Sequence, residues 1–162
     1  MAQAKALGAF MGSSDFVFTS AAPRARQTAE IALATHHAHC GIWVFGRGRE
    51  LYGPNGNEDF ATYLGLEKVL GEKGLDPYWY RDYLAQDVTG TLGRFKSESR
   101  EFILRQLGIA NARCIRIFNH AINANAIGEA LFSQHWEALL DIKLAPCDGI
   151  RLTATNCQHL PL

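Results

Sequence analysis

Residues 16–33 of the chain read FVFTSAAPRARQTAEIAL, and the order of residue types in this stretch decides the fold class. Phe16-Val17-Phe18 is a short aromatic and β-branched run, the composition of a buried strand. Thr19-Ser20 ends the run in a hydroxyl-bearing turn. Pro23 then stands where a helix can begin, because its fixed φ suits the first helical position and its missing N–H is not needed there. From Arg24 to Ala34 the pattern is helical, with Ala25, Thr28, Ala29 and Leu33 close to one face. A buried strand that turns into a helix puts backbone N–H groups, hydroxyls and a guanidinium at the strand's carboxyl end. Open α/β sheets bind ligands at that end, and helix N-termini favour anions. A planar guanidinium adds paired contacts to phosphate oxygens. Arg24 and Arg26 equally suit a solvated helix surface, and residue types alone leave both readings open.

Outward from this stretch, strands and helices alternate. Ile42–Phe45, Cys114–Phe118 and Gly149–Ala154 read as strands. Ala2–Met11, Asn57–Leu70, Pro77–Leu84, Ser97–Leu107 and Asn123–Phe132 read as helices, with a further turn or two over His135–Leu140. Gly46–Gly56 is rich in glycine, contains Pro54 and reads as a loop. This alternation predicts a three-layer α/β/α sandwich around a mostly parallel sheet. At 162 residues the chain fits one domain, residues 1–162, with no internal repeat or linker.

The totals exclude several functions. Sixteen basic and sixteen acidic residues balance to a formal charge of zero, so no basic field points to nucleic acid. The cysteines Cys40, Cys114, Cys147 and Cys157 form no C-x-x-C pair and read as free thiols of a reducing compartment. Met1–Met11 carries no basic segment followed by an apolar run, and no stretch is apolar enough to span a bilayer. The expectation is a soluble, cytoplasmic protein without a membrane partner.

The run TSAAPRARQTAEIAL resembles the histidine phosphatase (phosphoglycerate mutase-like) signature, written S-S-P-x-x-R-A-x-Q-T-A-E. The arginine before the alanine lines the family's phosphate pocket, and here it is Arg24; Arg26 falls on a variable position. Ser20, at the head of the signature, is implied as a phosphate-binding hydroxyl. The proline is displaced to Pro23, beside the arginine. A second stretch, CIRIFNHAINANAIGEAL from Cys114, resembles the family's later strand ending in histidine, here His120. Protonated, that histidine stabilises charge on a transferring phosphoryl group. Ala121 stands where most members have glycine. By itself His120 also suits a capped core histidine. Glu50, in RELYGPNG, lies where many members place a general acid, and Glu58 and Asp59 compete for that role.

The family's nucleophile is a histidine in an R-H-G motif, which becomes phosphohistidine. None of His36, His37, His39, His120, His135 and His159 has that context. MAQAKALG resembles the end of the family's L-T-x-x-G-x-x-Q-A-x-x-L-G helix, with Gln3, Ala4, Leu7 and Gly8 in place. The resemblance therefore implies an amino-truncated domain lacking its first, central strand, with open strand edges prone to self-association and reduced stability. Residues 55–108 would be a variable helical insertion over the site. The complete protein would be a phosphatase of phosphomonoesters or phosphohistidine proteins, without metal or organic cofactor. Nothing here matches the long insertions of a mutase. The chain as given would hold phosphate without turning it over, as a pseudoenzyme or interaction domain. Two rival features remain: His36-His37-Ala38-His39-Cys40 as a zinc ligand cluster, and Pro77-Tyr78-Trp79-Tyr80 as an aromatic interface.

Overall fold

The computed structural model describes residues 1–10, 16–20, 22–36, 42–45, 58–76, 79–88, 90–110 and 114–161. The elements run α1 (Ala2–Phe10), β1 (Phe16–Ser20), α2 (Pro23–His36), β2 (Ile42–Phe45), α3 (Glu58–Glu72), α4 (Tyr80–Gln86), α5 (Thr91–Ala110), β3 (Ile115–Phe118) and α6 (Ala121–Leu131). A 3-10 turn (Ser133–His135), α7 (Trp136–Asp141), β4 (Gly149–Leu152) and β5 (Cys157–Leu160) follow among the described residues. The architecture is mixed α/β, as expected.

The parallel sheet has the order β2-β1-β3, with Val17 opposite Ile42 and Phe16 opposite Ile115. Side chains alternate between its faces. Phe16, Phe18, Ile115 and Ile117 join Ile122, Ala126 and Ile127 of α6, together with Leu70, Tyr80, Tyr83, Leu92, Phe95 and Ile103. Val17 and Phe118 pack instead with Ala29, Ala32 and Leu33 of α2 and Leu7 of α1. The helices before β3 and the helix after it thus cover one face, and α1 and α2 cover the other. The two crossovers run in opposite directions across the sheet. Right-handed connections then require their helices to lie on opposite faces.

α1 approaches α2 closely at Gly8, where a Cβ would fall 2.4 Å from the carbonyl oxygen of Ala32. On the other face a carboxylate ties three helices together. Glu129 of α6 accepts a hydrogen bond from the Tyr80 hydroxyl of α4, and its other oxygen lies 2.8 Å from Lys96 Nζ of α5. Burial, then the Glu129 hydrogen bond and charge, push the Tyr80 phenol well above its ordinary value. Helices of the 55–108 segment therefore supply much of the larger core cluster.

Three local expectations change. Thr19 and Ser20 are strand rather than turn, because they pair with Val44 and Phe45 of β2. α5 begins at Thr91 rather than Ser97, since the Asp87 carboxylate accepts from the N–H groups of Thr91 and Leu92 at 3.3 and 2.7 Å. The terminal strand lies outside the parallel sheet: β4 pairs antiparallel with β5, a strand that the sequence pattern does not announce. Thr153 makes the connecting turn. Its Oγ1 accepts from Asn156 N at 3.0 Å, while its own N–H donates to Asn156 O at 2.9 Å. β4 lies against α6, with a Leu152 methyl carbon 2.9 Å from where a Gly128 Cβ would stand. Among the described residues no helix is long and apolar enough to cross a membrane.

Candidate functional site

β1 and β3 are adjacent and parallel, yet the helices that follow them leave to opposite faces, α2 to one side and α6 to the other. In open α/β sheets, strand ends whose following helices diverge in this way are the usual ligand site. The two segments that leave these strand ends carry Arg24 and His120.

α2 begins at Pro23, so the displaced proline takes the first helical position and Arg24 the second. The start is held from both sides. The N–H groups of Ala25 and Arg26 donate to Ala22 O at 3.1 Å, and Thr28 Oγ1 donates to the Arg24 carbonyl at 2.8 Å. Ser20, fully buried at the end of β1, accepts from Ala22 N at 3.4 Å through its Oγ. Its hydroxyl thus serves the strand-to-helix connection. Arg26 points elsewhere, pairing with Glu30 at 2.9 Å on the exposed helix surface.

His120 is the N-cap residue of α6, with extended backbone angles of φ −84° and ψ 158°. Its carbonyl accepts the first helical bond from Ala124 N at 2.8 Å. The preceding Asn119 fixes the turn, its Oδ1 accepting from His120 N at 2.8 Å and from Asn123 Nδ2 at 3.2 Å. Asn123 is buried and anchors that arrangement. This bracing starts α6 at Ala121, two residues earlier than its sequence pattern suggests.

Between the two segments, Arg24 Nε donates to His120 Nδ1 at 3.2 Å. In this contact Nδ1 is the acceptor, and a ring protonated at both nitrogens could not make it. Neither α2 nor α6 has an acidic residue in its first turn, so the partial positive charge at both helix starts has no carboxylate there to offset it. One guanidinium, one imidazole and two helix starts therefore meet at the carboxyl ends of β1 and β3. That combination suits an oxyanion.

Glu50 lies outside the described residues. Glu58 and Asp59 open α3, and the structure describes no side-chain position for either. His37, His39 and Cys40 also lie outside, and His36 ends α2. Among the described residues no group of three or more His, Cys, Asp or Glu side chains could hold a metal. His135 bonds the Thr153 carbonyl at 2.8 Å and His159 bonds Asp148 at 3.0 Å, both serving the β4–β5 hairpin. Of the aromatic stretch, Pro77 and Tyr78 lie outside the described residues, and Tyr80 is fully buried. Trp79 donates from Nε1 to Leu140 O at 3.0 Å and lies beneath the Arg81 guanidinium. Both described residues pack helices together.

The sequence pattern singles out His120 and not Asn119, which the structure ties to the His120 backbone and to Asn123. A polar side chain at the carboxyl end of a buried strand, next to the candidate histidine, is the signal that could have found it. No protein-family model matches the chain, and no curated protein matches it.

Proposed function

We propose that this chain is a phosphate-binding domain of histidine phosphatase type that holds phosphomonoesters or phosphohistidine in the cytoplasm without turning them over. The observation that carries this reading is the Arg24–His120 contact, made by the segments that follow the paired strands β1 and β3. The signature resemblance concerns two separate stretches, and their key side chains meet in space. The order β2-β1-β3, with helices on both faces, is compatible with the three-layer sandwich of that superfamily. β1 is the central strand of the described sheet and is paired on both sides, so the open inner edges expected from a missing central strand are not seen among the described residues.

On this reading the Arg24 guanidinium holds two phosphoryl oxygens, and the start of α2 adds dipolar attraction. When the anion draws Arg24 away, Nδ1 of His120 becomes free to take a proton, and the imidazolium offsets developing charge. Transfer also needs a nucleophile. No histidine here has R-H-G context, and His135 and His159 are engaged at the hairpin. The chain therefore performs the binding half of a reaction that would run through phosphohistidine in a complete protein.

Calorimetric titration with inorganic phosphate, beside an assay with p-nitrophenyl phosphate, tests this. Saturable binding without turnover, abolished by Arg24→Ala, is the expected result. Absence of phosphate binding, or binding indifferent to Arg24→Ala, overturns it.

A further inference from the structure

Asn119 Nδ2 is buried and has no hydrogen-bond partner among the described residues. The orientation of the amide is not arbitrary. Both the His120 N–H and the Asn123 amide donate to Oδ1. Turning the amide over would set its NH2 group against two donors. Oδ1 is therefore committed, and the two N–H bonds of Nδ2 remain for an acceptor. Burying an amide donor without an acceptor costs about 1–3 kcal/mol, and native structures rarely leave one so. The residue lies between β3 and His120, the residue whose ring meets the Arg24 guanidinium.

We infer that Asn119 is a third ligand of the bound anion, donating from Nδ2 to a phosphoryl oxygen. This rests on the phosphate-site reading and deepens it. An amide donor adds no charge, so it complements the arginine without repelling it. Its Oδ1 simultaneously holds the His120 backbone, so one side chain both binds the anion and fixes the turn that presents the imidazole.

Two measurements on the 162-residue chain test the assignment. Asn119→Asp retains the Oδ1 acceptor and replaces the donor by an anionic oxygen. Asn119→Ala removes both. Each should weaken inorganic phosphate binding by about tenfold or more, the usual effect of losing a hydrogen bond to a charged group. Thermal melts without phosphate report any structural loss separately. The second measurement needs no variant. In the 15N-labelled wild-type chain, the Asn119 side-chain amide protons should shift and exchange more slowly at saturating phosphate. If wild type binds phosphate through Arg24 but the Asn119 amide resonances stay fixed, the inference is wrong and the phosphate site stands. The inference is equally wrong if the folded Asn119 variants bind as tightly as wild type. If wild type does not bind phosphate at all, the site reading falls and this assignment with it.

Discussion

Arg24 and His120 stand 96 residues apart in the chain and meet side chain to side chain, the Nε–H of one donating to Nδ1 of the other over 3.2 Å. Each follows a strand of the parallel sheet, and those strands are neighbours. The contact therefore reports the topology as well as a local preference.

Anion binding should be linked to this contact. Sulfate does not titrate near neutrality, so it isolates the protein's contribution. An anion that takes over the guanidinium releases Nδ1, and a protonated ring adds charge and a donor. His120→Gln removes the imidazole and should weaken sulfate binding about tenfold or more, as read by titration calorimetry. An unchanged affinity would exclude His120 from the anion site.

The two signature arginines should differ sharply. Arg24→Ala should lower phosphate affinity about tenfold or more. Arg24→Lys should recover only part of that loss, since an ammonium offers no planar fork. Arg26→Ala breaks only the exposed Glu30 pair and should leave affinity unchanged. Titration calorimetry on the three variants separates these outcomes.

Gly8 is set by close approach. A methyl at this position meets backbone, the Ala32 carbonyl oxygen at 2.4 Å, and the Thr35 Cβ at 2.9 Å. Backbone cannot rotate aside as a side chain can, so α1 must move off α2. Gly8→Ala should destabilise the fold by about 1–3 kcal/mol, despite the better helix propensity of alanine. Denaturant midpoints would show it.

Tyr80 gives a pH signature in the alkaline range. Its folded-state pKa lies above the ordinary value of 10.0, so the native state retains a proton that the unfolded chain loses. The stabilisation is complete below about pH 10 and falls as the pH rises through and beyond it. Tyr80→Phe should be less stable near neutrality and lose this contribution to the alkaline decline. Urea midpoints between about pH 8.5 and 11, spanning the ordinary tyrosine range, would measure both effects.

Cysteine labelling should follow exposure. Cys114 is exposed just ahead of β3, whereas burial raises the Cys157 thiol above its usual range. Iodoacetamide at about pH 8, near the ordinary thiol range, should modify Cys114 well before Cys157, with peptide mass spectrometry giving the order. Equal rates would mean that β5 does not shelter its thiol.

Much of the secondary structure is legible because its causes are local. The apolar run at Phe16–Phe18, the helical spacing of Ala25, Ala29 and Leu33, and the helix-starting position of Pro23 all act within a few residues. The start of α5 escapes the sequence pattern because the Asp87 carboxylate caps it across Gly90, whose φ of +71° shapes the turn. β5 escapes it because four residues alternating in burial are too short a pattern to register until β4 is beside them.

The sequence by itself determined an α/β chain and named Arg24 and His120 as residues worth joining. Only the tertiary structure decided that they touch, that Arg26 turns to Glu30, that Ser20 serves the connection into α2, and that Asn119 directs a buried donor without a described acceptor. The physical reason is distance along the chain. Periodicity, caps and turns are fixed by near neighbours, whereas the meeting of two strand ends depends on sheet order and on which face each following helix takes.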